Sequence, residues 1–228
     1  MKQTLFNKEN LPRLCMIGVT AVLITVTGIL FRQSALRILP LYISLFVGML
    51  QSQANRYASL LGGLNSLLYM FVDIYLGLYA SAGYCLLFSF PLQIATFIRW
   101  SRHKYGKSTE FRKMSKKMRA FVLAGFFAAF AVLSAVLKAA GSDYQVLDSL
   151  SSLLGALIAI LTMLAFIEYT WLMLPSGVLN IVLYIATMQY HPEQITYLIY
   201  SCYSMTCVVI QFFRVRKLYA EQQKKTQT

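Results

Sequence analysis

The chain has few acidic residues and few histidines. Of its 228 residues, 8 are Asp or Glu and 2 are His, against 21 Lys or Arg. His103 lies in a basic stretch and His191 in a predicted turn, and neither has a catalytic partner or a metal ligand near it in the sequence. No Gly-rich phosphate-binding motif occurs. The sequence therefore predicts that the protein is not an enzyme.

The four cysteines do not form a recognisable site. No Cys-x-x-Cys pair occurs, and no His lies at metal-ligand spacing from a Cys. All four lie in apolar runs: Cys15, Cys85, Cys202 and Cys207. We interpret them as small, reduced hydrophobic residues, and we expect neither a cofactor nor a metal.

Long apolar runs dominate what is present. Hydrophobic residues make up 58% of the chain, against about 45–50% in soluble domains. A helix needs about 20 apolar residues to span a bilayer, and eight candidate spans can be recognised. They lie at about 13–31, 36–51, 57–77, 79–100, 119–139, 146–167, 171–189 and 194–214. The first run is longer than a signal-peptide core and lacks a small-x-small cleavage site, so we expect a retained helix.

The basic residues are distributed asymmetrically between the two sides of these spans. With eight spans, 18 of the 21 Lys and Arg residues lie on the side of the termini. The other three are Arg32, Arg37 and Lys138. Positive charge marks cytoplasmic loops, so we expect both termini and the basic loop in the cytoplasm of a cell that carries the protein in its inner or plasma membrane. This placement also argues against nucleic-acid binding as the reason for the net charge of +13.

One pattern, Gly-x-Leu-Asn-x-x-Leu-Tyr, occurs twice. The copies begin at Gly62 and Gly177, 115 residues apart, and each lies inside an apolar span. An even number of spans separates them, so the two copies run in the same direction. Internal repeats are typical of transporters, with the site at the repeat interface. The sequence predicts an all-α, polytopic membrane protein of about eight transmembrane helices, with 3+1+3 SWEET-like parallel repeats plus an extra N-terminal helix.

This arrangement divides the chain into five expected segments. They are the extra N-terminal helix (1–32), the first three-helix repeat (33–100), a basic cytoplasmic loop with a linker helix (101–140), the second repeat (141–217) and a cytoplasmic tail (218–228).

The repeated motif places amides and phenols inside the apolar spans. Asn65 and Asn180 fall about halfway along their spans, and Tyr69 and Tyr184 follow one turn later on the same face. A buried amide in lipid must be hydrogen-bonded. Two interpretations are open: the amides face a central cavity and contact a ligand, or they bridge packed helices. The nearby glycines favour close helix packing.

Other spans carry further candidate residues. Pro91 lies between Phe90 and Gln93 and removes one backbone hydrogen bond, so a kink beside a site is one interpretation and a tolerated proline the other. Trp100 ends that span as an expected interfacial anchor.

Charged residues within the predicted spans are few. Asp73 and Glu168 lie near span ends, where solvated placement is the simpler interpretation. No Asp, Glu or His lies in the middle of a span, which favours passive facilitation over proton coupling.

The first repeat resembles the PnuC family of vitamin-precursor transporters. The residues that carry the resemblance run from Gly63 to Tyr69, from Leu78 to Gly83, and from Phe90 through Gln93 to Trp100. Similar residues in the second repeat are Asp148, Glu168, Trp171, Leu183, Tyr184 and Tyr200. The resemblance covers roughly residues 33–217.

The resemblance implies a facilitator that passes nicotinamide riboside, or in relatives thiamine, riboflavin or deoxynucleosides, to a cytoplasmic kinase that traps it. Members that carry nicotinamide riboside have a Trp-x-x-Trp-x-x-x-Asn/Asp motif, of which residues 168–177 keep one Trp, Trp171. The expected substrate-binding residues are Asn65, Tyr69, Phe90, Gln93, Glu168, Trp171, Asn180, Tyr184 and Tyr200. Two alternative functions are left open, a sugar-type carrier on the same fold and a non-transporting membrane scaffold. Assembly into a homo-oligomer is a separate open question.

Overall fold

The computed structural model describes residues 11–75, 79–139 and 145–227. The nine α-helices in this part of the chain are α1 (Leu11–Leu30), α2 (Ala35–Ser52), α3 (Tyr57–Tyr75), α4 (Tyr79–Tyr84), α5 (Phe90–Arg102), α6 (Lys116–Ala139), α7 (Gln145–Met163), α8 (Tyr169–Met188) and α9 (Ile195–Gln227). A π-helical turn, Cys85–Ser89, joins α4 to α5, and a 3-10 turn, Pro192–Gln194, precedes α9. Two short strands, β1 (Lys104–Tyr105) and β2 (Ser108–Thr109), pair as an antiparallel hairpin.

The helices have the length and surface of a membrane bundle. Seven helical segments are long and apolar enough to cross a bilayer, and α7 contributes a shorter apolar stretch, Ser149–Met163. Large apolar side chains point outward, such as Val19 and Phe121, which is 79% exposed. Such a surface is stable only against lipid or another apolar surface. The predicted class, an all-α polytopic membrane protein, is confirmed.

Several predicted boundaries differ from the observed ones. The sixth span was expected to run to 167 but ends at Met163, because a tight turn through Ala165 (φ +58°) follows it. The last predicted span ends at about 214, and the helix that contains it continues to Gln227. Residues 218–227 of the predicted cytoplasmic tail are part of this helix, and Leu218 and Gln222 are buried. Residues 76–78, which carry part of the Leu78–Gly83 resemblance, and the side chain of Asp148 lie outside what the structure describes.

The fourth predicted span is interrupted where Pro91 occurs. Proline has no N–H to donate to the carbonyl four residues earlier. One residue before it, the Phe90 N–H bonds to the Cys85 carbonyl, five residues back, which is the spacing of a π-helix. Such π-bulges are frequent at functional sites, and this one places Ser89 and Phe88 along the cavity described below.

The helices pack as two groups with the same internal arrangement. Helix α3 packs between α2 and α5, while α8 packs between α7 and α9. The two groups meet where α2 contacts α9 and where α5 contacts α7. A two-fold relation between the groups would exchange these two contacts with each other. The repeat arrangement stays a prediction, and this packing is consistent with it. Helix α6, the predicted linker, has no buried residue in its apolar window and packs against α7.

The basic loop folds into the bundle instead of lying free. We call the end of the bundle that carries residues 101–115 the basic end, and the opposite end the far end. Gly106 (φ +59°) makes the hairpin turn between β1 and β2. Phe111 and Met114 are then buried in a cluster with Trp100 and Tyr169. The loop is thus part of the core at the basic end.

Candidate functional site

A central cavity lies between the two helix groups. It encloses about 150 Å³ and reaches from the middle of the bundle toward the basic end. Its walls come from α2, α3, the π-turn and α5 on one side, and from α7, α8 and α9 on the other. A cavity between two packed helix groups is where a polytopic transporter binds its substrate.

The lining of the central cavity mixes apolar and polar side chains, and none of the described lining residues is charged. Four aromatic side chains contribute, Tyr84, Phe88, Trp100 and Tyr169, and four amides, Gln51, Asn55, Gln93 and Gln211. The hydroxyl side chains are Ser59, Ser89, Thr96 and Thr162. None of the lining residues in the described part of the chain is ionic. Such a surface offers flat faces for stacking and several donors and acceptors for hydroxyl or amide groups.

Gln93 reaches the cavity because a glycine faces it. A Cβ atom at Gly62 would lie 3.0 Å from Gln93 Nε2, so a larger residue would displace the amide. The equivalent glycine of the second copy, Gly177, packs against Met205 in the same way. The glycines of the repeated motif thus serve close packing, and in the first copy they also make room for a cavity amide.

Aromatic and amide side chains close the cavity toward the basic end. Trp100 is 3% exposed, donates from Nε1 to the Thr162 carbonyl at 2.8 Å, and meets Phe111 edge to face at 5.7 Å. Tyr169 is fully buried, and its hydroxyl accepts a 3.0 Å hydrogen bond from Gln211 Nε2. Trp100 was expected to be an interfacial anchor, and the structure places it inside the core because the loop folds beneath it.

The two motif asparagines form equivalent bridges between helices. Asn65 Nδ2 donates to the Ser44 hydroxyl of α2 at 2.8 Å. Asn180 Oδ1 accepts from the Ser151 hydroxyl of α7 at 2.7 Å. Each bond joins the middle helix of a group to its first helix. Asn65 Oδ1 is buried and has no hydrogen-bond partner among the described residues, so it keeps an acceptor that a ligand could satisfy.

A cluster of hydroxyl groups separates the central cavity from the far end. Ser44 donates to the Pro40 carbonyl at 2.9 Å, and the hydroxyls of Tyr69 and Tyr200 approach it. On α2, Ser44 lies about midway between Gln51, which lines the central cavity, and the first residues of the helix at the far end. We call Ser44, Asn65, Tyr69 and Tyr200 the barrier.

A second cavity, the outer cavity, lies beyond the barrier at the far end. It encloses about 280 Å³. Its lining residues are Gln33, Arg37, Tyr69, Val72, Asp73, Tyr184, Glu193, Gln194 and Tyr197. The rings of Tyr184 and Tyr197 stack at 5.9 Å with an interplanar angle of 20°. Of the residues expected to bind substrate, Tyr69 and Tyr184 therefore line the outer cavity, and Gln93 lines the central one.

Besides Asn180, three expected binding residues lie outside both cavities and outside the barrier. Phe90 is half-buried beside the π-turn. Trp171 is 54% exposed on the outer surface, where it packs edge-on against Phe212 and beneath the Arg216 guanidinium, 4.3 Å from the ring centroid. Glu168 binds the basic loop. The expected position of these three residues was based on sequence order, which does not show which way a side chain points.

Glu168 makes one hydrogen bond to the basic loop and one to the first turns of α6. Its Oε1 atom accepts from the Met114 N–H at 3.1 Å and from Arg119 at 2.6 Å. We expect Glu168→Ala to lower the free energy of unfolding by about 1–3 kcal/mol, because it leaves the Met114 N–H unpaired. Arg119→Ala should change it by less than about 1 kcal/mol, because the guanidinium is partly exposed. Denaturant unfolding in detergent measures both, and equal effects would contradict this assignment.

The residues that sequence reasoning missed are Tyr169 and Gln211, together with Gln51 and Asn55. Gln211 lies inside the last apolar span, so the argument applied to Asn65 also singles it out. Gln51 and Asn55 flank a predicted span end, where amides are ordinary, and the sequence contains no signal that they line a cavity.

Comparison with known proteins places the chain in a family. The family model described as nicotinamide mononucleotide transporter matches residues 34–213. A crystal structure of the vitamin B3 transporter PnuC is similar to this chain, with a TM-score of 0.73 and 18% sequence identity, over 92% of this chain and 90% of that one. No curated protein sequence matches the chain. The similar structure establishes the fold, and the family match covers most of the chain. The chain therefore belongs to the nicotinamide mononucleotide (PnuC) transporter family, a family of membrane transporters and not of enzymes.

Proposed function

We propose that this protein moves a B-vitamin precursor, nicotinamide riboside, into the cell by facilitated diffusion. The observation that carries the proposal is the central cavity, which combines aromatic faces with uncharged amides between the two helix groups. Nicotinamide riboside consists of a flat cationic ring and a ribose. The ring can stack on aromatic side chains, and the ribose hydroxyls can bond to amides.

Two aromatic side chains are positioned to hold the ring. Trp100 and Tyr169 line the basic end of the central cavity and are fixed by hydrogen bonds to Thr162 and Gln211. A cation over such a face gains about 0.5–2 kcal/mol. No carboxylate is among the described residues that line this cavity. A lining without a strong counter-charge suits a passive carrier, because the ligand must also leave.

Gln51, Gln93 and Gln211 are the proposed partners of the ribose. An amide can donate and accept at once, which matches hydroxyl groups that do the same. Asn65 lies in the barrier with a free buried acceptor, Oδ1. We propose that it bonds to the substrate as the substrate passes.

Alternating access is supported by the position of the closures. The cluster of Trp100, Phe111, Met114 and Tyr169 covers the basic end of the central cavity, and the barrier separates it from the far end. Movement of one helix group against the other would open one closure at a time. We place the basic end in the cytoplasm because it carries most of the Lys and Arg residues. A cytoplasmic kinase would then trap the substrate.

A binding panel on purified protein tests the substrate. We expect nicotinamide riboside to bind more tightly than thiamine, riboflavin and deoxynucleosides in calorimetry. Gln211→Ala and Gln93→Ala should each weaken binding about tenfold, since each removes one or two hydrogen bonds from a buried ligand. Gln223→Ala, on an exposed face of α9, is the matched control and should not change affinity.

Two outcomes would contradict the proposal. One is tighter binding of another member of the panel, which would reassign the substrate. The other concerns the passive mechanism: vesicles that contain only this protein should equilibrate the substrate. Accumulation above the external concentration without a kinase, seen only when a proton or sodium gradient is imposed at zero membrane potential, would show that transport is coupled.

A further inference from the structure

We propose that the outer cavity is a separate recognition site for planar cations, with the Asp73 carboxylate as the charge that attracts them. The identity of the natural ligand rests on the proposed function, whereas the chemical class of the ligand follows from the residues that line the cavity. Among the described lining residues of the outer cavity, Tyr69 also belongs to the barrier and the others do not. None of these lining residues, Tyr69 included, also lines the central cavity.

Asp73 is an unusual residue for its position. It lies in the last turns of the apolar helix α3 and is 8% exposed. A carboxylate buried near the end of a membrane span is expensive to maintain, and such residues pair with other groups of the protein and mark ion or substrate pathways. Asp73 also lines the outer cavity.

The charges around the outer cavity favour a cation. Asp73 and Glu193 supply two carboxylates, and Arg37 supplies one guanidinium. Glu193 also faces His191 at 3.4 Å. Two carboxylates and one guanidinium give the described lining residues a formal charge of −1, in a region where lipid and protein lower the dielectric constant and strengthen each charge. The central cavity, in contrast, has no ionic lining residue among those described.

Tyrosine rings supply the flat faces. Tyr184 and Tyr197 lie nearly parallel, and Tyr69 faces the same space. Electron-rich rings attract a cation placed over their faces. A planar cation gains from both features at once, by stacking on a tyrosine and by Coulomb attraction to Asp73. A neutral ring gains only the first.

The rim of the site is fixed before a ligand arrives. Gln33 Nε2 donates to the Glu193 carbonyl at 2.7 Å and to the Thr196 hydroxyl at 3.0 Å. Thr196 in turn donates to the Thr27 hydroxyl at 3.1 Å. These bonds tie the start of α2 to α9 and to the end of α1. A rim that is already ordered lowers the entropy lost on binding.

The two cavities therefore have different tasks. The outer cavity selects for positive charge and raises the local concentration of cations at the far end. The central cavity selects by shape and hydrogen bonding after the barrier opens. Attraction between the cationic ring and a carboxylate is confined to the outer cavity, so that in the central cavity the ring meets only the weaker attraction of aromatic faces.

Two small probes test the site without requiring transport. The 1-methylnicotinamide cation and neutral nicotinamide share a ring and differ by a methyl group and a charge. We expect wild-type protein to bind the cation more tightly in calorimetry. Asp73→Asn, which keeps the size of the side chain, should weaken cation binding about tenfold and leave nicotinamide binding unchanged. Glu221→Gln, an exposed carboxylate on α9 at the basic end, is the matched control and should change neither.

A second pair of variants tests the aromatic face. Tyr197→Phe keeps the ring and should keep cation binding, whereas Tyr197→Leu removes it and should weaken binding severalfold. Equal binding of both probes to the wild type would overturn the proposal. So would an equal loss of both probes in Asp73→Asn, since that indicates structural damage rather than lost charge recognition.

Failure of this site is distinguishable from failure of the proposed function. If nicotinamide riboside is transported but Asp73→Asn does not alter the preference for the cation, the outer site is disproved and the function stands. If nicotinamide riboside is not transported but the Asp73-dependent preference is measured, the function is disproved and the outer site stands.

Discussion

Trp100→Ala is expected to abolish transport and to lower the free energy of unfolding by about 3–5 kcal/mol. The indole is 3% exposed, packs edge-on against Phe111, and donates to the Thr162 carbonyl. Its removal leaves a void beneath the central cavity and an unpaired carbonyl. It also removes one of the two faces proposed to hold the ring. Denaturant unfolding in detergent and uptake by reconstituted vesicles measure the two effects.

The chain contains a control for this experiment in its only other tryptophan. Trp171 lies on the outer surface with 54% exposure. Trp171→Ala should change the free energy of unfolding by less than about 1 kcal/mol and should leave uptake close to that of the wild type. Loss of transport in Trp171→Ala, with transport retained in Trp100→Ala, would place the site on the outer face of α8 instead of in the central cavity.

Gln222→Ala is expected to release the basic loop from α9. The side chain is buried, accepts the Phe111 N–H at 3.0 Å through Oε1, and donates to the Thr109 carbonyl at 2.9 Å through Nε2. Truncation strands two buried backbone groups, each at about 1–3 kcal/mol. We expect faster hydrogen exchange and faster tryptic cleavage within residues 103–115, which contain Lys104, Lys107 and Arg112.

The neighbouring residue provides the matched control. Gln223 is exposed on the same helix, so Gln223→Ala has the same change in side chain and helix propensity without the loop contacts. Protection of residues 103–115 should stay at the wild-type level in this variant. If Gln222→Ala also leaves that protection unchanged, the loop is held by its apolar contacts alone, through Phe111 and Met114.

The basic loop shows where sequence reasoning was incomplete. Its charges were the basis for predicting a junction between two halves. Only three of its features point to burial, the apolar side chains of Phe111 and Met114 and the turn-forming Gly106, and each is common in exposed loops. The contact with α9 depends on Gln222, more than 100 residues away, and no local pattern encodes such a contact.

The candidate site was predicted in part. Asn65 and Asn180 stood out because amides are costly in lipid, and both are hydrogen-bonded between helices as that cost requires. Whether an amide faces a cavity or a neighbouring helix depends on the rotation of its helix, which the repeat does not specify. For this reason Gln93 lies at the central cavity, whereas the two asparagines act mainly as bridges.

The sequence by itself determined the class of this protein, the approximate positions of its spans and the family resemblance. These follow from the length of the hydrophobic runs, the placement of the charges and the repeated motifs. Each of these can be recognised within short segments or by counting residues along the chain. Only the tertiary structure decided which side chains share a cavity. Tyr169 meets Gln211 and Trp100 meets Thr162 because α5, α7, α8 and α9 pack at particular rotations. Packing fixes those rotations through contacts between distant residues, so the division into an uncharged central cavity and an outer cavity with Asp73 appears only in the folded bundle.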